Sequence, residues 1–588
     1  MNIFSKIRLP KLGKNNFDLS FENKLTCQMG ELIPIVCQEV VPGDQFKMSS
    51  NILVRFNPMI APLMHRVDVY THFFFVPNRL VWDEWEDFIT GGEDGLAQPE
   101  KPYMTYRELL LRSTEDSSNL IGPNSLLDYM GVPCSIDPKK SPFGGGRPLN
   151  TFSRGSLNSI LDNYDWVDTK FDVLPFRAYQ LIFNEYYRNQ NTDSERYVYK
   201  GSGLEPEADP NTGWTNTTFI KAWRNWGLDY FTSALPFSQR GPEQLVPVTG
   251  TTPVQWFPNA QDRVRRLDGQ AITGNLIGPT GQLDGLQANL YTVNSADGSV
   301  NSTGVPEVVS IDNSQNLSVS YDDASITIRD LRRAERLQEW LERSARSGAR
   351  YIEQIKGHFG VFSSDSRLQR PEYLGGGKQP VQISSVDQTS ATNINGSDSP
   401  LGSPSGKGIS GGTTNSFKTK EMEEHGWIIG IMSVLPKGGY HQGLNRKFSR
   451  FDKLDYFWPE FQNIGDQQIQ TKELFCGQVP SGDFYNNNPE VGFGYTPRYS
   501  EYKSNTDEVH GDFKTTLDFW HLNRKFDQIP VLNRDFSRTG NNSTSNIRQD
   551  IFAVQTDSEG NNIPNLYVDI YNNIKARRPM YYYENPDL

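Results

Sequence analysis

Long apolar runs are missing from this 588-residue chain. The longest, Ile428 to Leu435, falls far short of the roughly 20 residues that cross a bilayer as a helix, so no membrane insertion is expected. Cysteine is scarce too. Cys27, Cys37, Cys134 and Cys476 form no C-x-x-C pair, which argues against a disulfide framework and fits folding in a reducing cytoplasm. The basic residues near the start are not followed by an apolar stretch, so a secretory signal is not expected. Net positive charge is also lacking: at −12, with a pI near 5.3, the chain does not wrap nucleic acid over its whole surface, and any such contact has to be local. No repeat recurs at a fixed period, which excludes solenoids and propellers. None of the seven histidines makes an H-x-x-x-H pair and no calcium-loop pattern occurs, so neither metal nor cofactor is expected.

What is present is turn chemistry and aromatic bulk. Fifty Gly and 36 Pro imply many turns, and 12% aromatic residues supply large buried areas, the balance of an all-β protein. Leu32 to Val41 is a β-branched run that stops at Pro42-Gly43-Asp44, and Ile52 to Phe56 stops at Asn57-Pro58. Arg66 to Val76 alternates, with Val67, Val69, Thr71, Phe73 and Phe75 on one face. Trp427 to Leu435 is apolar on both faces, as a strand between two layers would be, and further β material lies at Asn565 to Tyr571. Helical spacing appears at Leu80 to Ile89, around Leu157, Ile160, Leu161 and Tyr164, and most clearly from Ile328 to Lys356, which is read as one helix tolerating Gly348. Intrahelical pairs such as Glu339 with Arg343 and Glu342 with Arg346 would satisfy its charges.

Two stretches lack the apolar density to fold alone: residues 200–327 and the Ser/Gly-rich loop 384–416. Charge is distributed unevenly. Lys6, Arg8, Lys11 and Lys14 make a basic N-terminal arm able to neutralise phosphates, with Phe4 and Phe17 available to stack on bases. Leu267 to Ile328 contains no Lys or Arg but holds Asp268, Asp284, Asp297 and Asp312 among its acids. Catalytic motifs do not survive inspection. Gly408-Ile409-Ser410-Gly411-Gly412 spells a nucleophile elbow, yet its low-complexity flanks offer no strand-to-helix turn. Tyr373 to Lys378 is a glycine-rich turn lacking phosphate-loop spacing, and the acids of Trp82 to Asp87 read as a solvated helix face.

Several segments in order resemble the major capsid proteins of microviruses, specifically the gokushovirus branch. They include Asn57-Pro58-Met59-Ile60-Ala61-Pro62, His72-Phe73-Phe74-Phe75-Val76-Pro77, Phe183 to Asn191, Leu368 to Gly376, His425 to Met432 and Phe519-Trp520-His521-Leu522. The resemblance implies a mainly β subunit: a single eight-stranded antiparallel jelly-roll core with long loop and helical insertions. It implies pentamers closing into a T = 1 shell around a circular single-stranded DNA genome, assembled in the host cytoplasm with a scaffolding protein and a small basic DNA-packaging protein. On this basis residues 1–30 are an internal basic arm, 31–199 the first part of the core, 200–327 a threefold surface protrusion meeting a host receptor, and 328–588 the remainder, with no catalysis. The alternative is a secreted β-sandwich that binds or cleaves polysaccharide.

Overall fold

The computed structural model describes residues 13–115, 120–133, 154–208, 215–241, 328–387, 404–476, 492–540, 547–555 and 563–582, with short strand segments between 255 and 318 and at 392–394 and 397–399. The chain divides into two units, residues 1–240 with 342–588, and residues 241–341. The described part is mainly β, and every named strand pairing is antiparallel.

In the larger unit two sheets dominate. One contains β2 (Phe21–Cys27), β11 (Leu566–Arg578), β4 (Gln45–Phe56) and β8 (Pro404–Thr413) side by side, extended by β7 (Gln382–Asp387) beside β8, β1 (Asn15–Asp18) beside β11 and β9 (Phe417–Lys418) beside β4. The other runs β6 (Glu372–Pro380), β5 (Val67–Pro77), β10 (Gly426–Pro436), β3 (Ile33–Val40). Between them lies a core to which β4 and β11 send Phe46, Ile52, Val54 and Ile570, and the facing strands send Ile33, Val69, Phe73 and Ile428.

The second face of the four-stranded sheet is covered as well. Phe74, Val76, Ile429 and Ile431 enter a separate cluster with Leu109 and Leu110 of α1 (Tyr106–Glu115), Leu157 and Leu161 of α2 (Arg154–Leu161), and Phe176 and Tyr179 of α3 (Leu174–Ile182). Adjacent residues of β5 thus enter different cores, because strand side chains alternate. The seven-stranded sheet differs: β4 and β11 alternate buried and solvent-facing positions almost without exception, so one face is open.

Three sequence expectations change in detail. The run from Ile328 to Lys356 is two helices, α4 (Ile328–Ser347) and α5 (Tyr351–Phe359). Gly348 breaks it with φ +108°, outside the helical region and open chiefly to glycine. The Gln190 side chain accepts from the Ala349 N–H at 3.0 Å, and Glu353 accepts from the Arg350 N–H at 3.1 Å, satisfying the new helix start. Arg346 pairs with Asp466 at 2.5 Å rather than only within its own helix. Second, Leu80 to Ile89 is a 3-10 turn at Asn78–Leu80 and a helix at Trp85–Thr90, with Val81 and Trp82 buried and Phe88 and Ile89 half in solvent.

Third, the low apolar density of 200–240 conceals buried anchors. Phe219 and Ala222 join the cluster beneath the helices. Glu205 meets Arg177 of α3 at 2.5 Å with both side chains fully buried. Glu205 also accepts from Asn216 at 2.7 Å and Thr218 at 2.9 Å, while Arg177 donates to the Val81 and Gly201 carbonyls. A buried ion pair is tolerable only when its remaining hydrogen-bonding capacity is met in this way.

Candidate assembly surface and nucleic-acid contacts

The region after β10 builds a third, smaller core. A hairpin of Asp466–Gln470 with Gly492–Pro497 supplies Ile469 and Phe493, which pack with Phe231, Tyr440, Leu474, Phe526 and Phe536. Over it runs a strap, residues 446–464, made of three 3-10 turns at Arg446–Phe448, Lys453–Asp455 and Pro459–Phe461. The strap is held from below by charge. Arg446 pairs with Glu473 at 3.2 Å and Arg450 with Glu501 at 3.4 Å, while Gln467 donates to Glu501 at 2.6 Å. Burial pushes Glu473 above the usual carboxylate range, opposed by the Gln470 N–H and by Arg446. Locally, Asp455 accepts from the backbone N–H groups of Phe451 and Asp452, and Trp458 Nε1 donates to the Lys453 carbonyl at 2.8 Å.

While Arg446 and Arg450 turn inward, the strap leaves most of its rings exposed. Phe451 is 91% exposed and Phe448 65%, and Tyr456, Phe457, Trp458 and Ile464 are also exposed. So many exposed large apolar groups in one short segment are a feature of interaction surfaces. Aromatic side chains, moreover, dominate the energetics of such surfaces. The strap's polar groups hold its shape; nothing in it arranges a nucleophile with a base. Among the described residues no group of three His, Cys, Asp or Glu side chains could hold a metal ion.

The residues singled out from sequence fall as follows. Lys14 donates to the Gly43 carbonyl at 2.7 Å and pairs with Glu421 at 2.8 Å, so its charge is already engaged within the subunit. Lys6, Arg8 and Lys11, and likewise Asp268, Asp284, Asp297 and Asp312, lie outside the described residues. Ser410 of the apparent nucleophile elbow sits inside β8, buried, donating to the Pro380 carbonyl at 3.1 Å. The acidic helix face is solvated, with Glu84 accepting from Ser202. The strap was missed, although its density of rings (Phe448, Phe451, Tyr456, Phe457, Trp458, Phe461) is visible in sequence.

Comparison with known proteins decides the class of molecule. The family model described as capsid protein (F protein) matches residues 5–138 and 148–588. The chain belongs to this phage capsid protein family. Capsid protein VP1 of Chlamydia phage 1 is 34% identical, aligning over 100% of this chain and 98% of the relative. Capsid protein VP1 of Bdellovibrio phage phiMH2K is 31% identical over 99% of this chain and 97% of its own length, and that of Spiroplasma virus 4 is 28% identical over 95% and 92%. The microvirus resemblance carried by the sequence motifs is thereby borne out. As a phage capsid protein the chain has a structural role in the virion. No described helix is long and apolar enough to cross a membrane.

Proposed function

We propose that this capsid protein forms pentamers that close into a T = 1 icosahedral shell around circular single-stranded DNA. One observation carries the reading, namely the strand order of the two sheets. Counting only β2, β3, β4, β5, β6, β8, β10 and β11 as first to eighth, one layer runs first-eighth-third-sixth and the other second-seventh-fourth-fifth. That interleaving is the order expected of the double Greek key of an eight-stranded jelly roll, an architecture recurrent in viral shells, and it supports the reading. The remaining strands and the helices are then additions to it. Shell subunits close through heterologous contacts, and the strap supplies an apolar one. Residues 200–327 carry the threefold protrusion and the host contact, their lower part serving as its root. The basic arm and a small basic packaging protein face the genome, and a scaffolding protein guides closure in the host cytoplasm.

Electron microscopy of the particle fraction from cells making the chain with its neighbouring genes tests this. Closed shells of one diameter with threefold knobs are expected. The double variant Phe451→Ala/Trp458→Ala should keep the far-ultraviolet circular dichroism of the parent and lose the shells. Soluble monomers alone from the parent chain, under every condition, would sink the reading.

A further inference from the structure

The open face of the seven-stranded sheet carries a charge pattern that the subunit satisfies only in part. In register, Lys575 of β11 lies opposite Lys47 of β4, and Lys47 lies opposite Lys418 of β9 on its other side. All three are exposed. With strands about 4.8 Å apart, the three lysine backbones are aligned within roughly 10 Å. Like charges directly opposite each other destabilise a sheet. On the same face Arg55, Lys407 and Arg577 are also exposed. None of these six makes an ion pair with a described residue. Three acids share the face: Asp18 lies opposite Lys575 on the far side of β11 and accepts from Ser20, while Glu22 and Asp569 share Lys24 at 2.8 and 3.6 Å, so Lys47 and Lys418 are left without an acid opposite them.

Rings accompany the cations. Tyr567 and Tyr571 project from this face of β11, each 43% exposed, and Tyr567 lies opposite Arg55. Tyr567 and Arg55 also line an open groove of about 880 Å³ with Leu53, Lys24 and Tyr129. In a chain of net charge −12 such a surface is not a by-product of composition. An excess of cations and stacking rings along one track are what unpaired nucleic acid requires, phosphates for the first and base faces for the second. An acidic protein would satisfy the lysines but leave the rings unused.

We propose that this sheet face binds single-stranded DNA, with Lys47, Lys418 and Lys575 as a phosphate-binding row and Tyr567 and Tyr571 as stacking platforms. The proposal rests on the reading that the shell encloses single-stranded DNA, and it names a site distinct from the N-terminal arm.

The probe is a fluorescent 20-nucleotide oligo(dT), titrated by anisotropy against the purified full chain at several salt concentrations. Each phosphate contact on a single strand contributes about 0.7 to the slope of log affinity against log salt. The variant Lys47→Ala/Lys418→Ala/Lys575→Ala should therefore lower the slope by about 2 and weaken binding at least tenfold at low salt. A charge-matched control, Lys200→Ala/Lys503→Ala/Lys514→Ala, should leave both within twofold of the parent. Tyr567→Ala/Tyr571→Ala should weaken binding about tenfold with the slope unchanged. Parent-like affinity and slope in the lysine variant would overturn the proposal, as would an equal loss in the control. A lysine variant that binds DNA normally but no longer assembles would assign the face to an acidic protein partner instead. Microscopy of the same preparations separates the two failures: shells with unchanged DNA binding sink only this site, whereas absence of shells from the parent chain sinks the reading beneath it.

Discussion

The two sheets of this capsid protein share one core yet differ in what lies behind them. The four-stranded sheet is covered on both sides, so β5 and β10 are buried almost throughout, with Phe73 and Phe75 turned to the shared core and Phe74 and Val76 to the helices. The seven-stranded sheet is covered on one side, so β4 and β11 alternate, and their outward positions hold Lys47, Arg55, Tyr571 and Lys575. A strand buried on both faces has no position left for chemistry outside the fold. A strand buried on one face has half its positions available, and here the charged ones on β4 and β11 are Lys47, Arg55, Lys575 and Arg577 against a single acid, Asp569.

The strongest way to break this contrast is to strip the cover from the four-stranded sheet. Glu205→Ala leaves Arg177 charged, fully buried and without its carboxylate. Unpairing a buried ion pair costs about 3–5 kcal/mol, and chemical denaturation of the isolated subunit should show that loss. A parent-like midpoint would mean that residues 201–240 do not brace the fold. Next comes a matched pair of ring deletions. Phe74→Ala, fully inside the helical cluster, is expected to cost about 3–5 kcal/mol through lost burial and a cavity. Tyr571→Ala, on the open face, should stay within about 0.5 kcal/mol of the parent. If the two cost the same, the open face is not open.

A third expectation concerns pH. Burial, aided by the positive Arg224, pushes His72 of β5 down to about 4, and its Nδ1 sits 2.8 Å from the Tyr187 hydroxyl. The unfolded chain takes up this proton near pH 6.5 and the folded chain only near 4, so the unfolded state binds more protons between those values. Stability contributed by neutral His72 is complete above about pH 6.5 and is lost as pH falls towards 4, by up to about 3 kcal/mol. His72→Phe should flatten the stability profile over that window; an unchanged slope would assign the acid sensitivity elsewhere, for example to His441, which burial also lowers to about 4.

How much of this was legible beforehand follows the same division. β10 was readable as an apolar run because both of its faces are dry, β3 as a β-branched run and β5 by its alternation. β8 was not, since Pro404–Thr413 looks like a low-complexity loop. Its glycines are dictated by crowding: a Cβ on Gly406 would come 2.3 Å from the Ala61 carbonyl oxygen, and one on Gly408 would reach 2.8 Å from the Phe56 ring. Small residues there mark close approach of neighbouring chain rather than freedom. The charges of the N-terminal arm stand close together in sequence and invite a reading, whereas the lysine row does not, because residues 47, 418 and 575 become neighbours only through strand pairing.

That pairing leads to the smallest expected effect. Lys47 lies between two lysines across a sheet, a position where like-charge repulsion costs about 0.2–1 kcal/mol. Lys47→Gln keeps the length and polarity of the side chain and removes the repulsion. The isolated subunit should therefore become more stable by a few tenths of a kcal/mol, with the gain largest at low salt and fading as screening shortens the reach of charge. The same substitution should weaken oligo(dT) binding. Stability and binding moving in opposite directions is the signature of a row of charges kept at a cost for an anionic partner. If Lys47→Gln instead destabilises the subunit, the lysine contributes to the sheet through its aliphatic stem, and the row needs no partner to explain it.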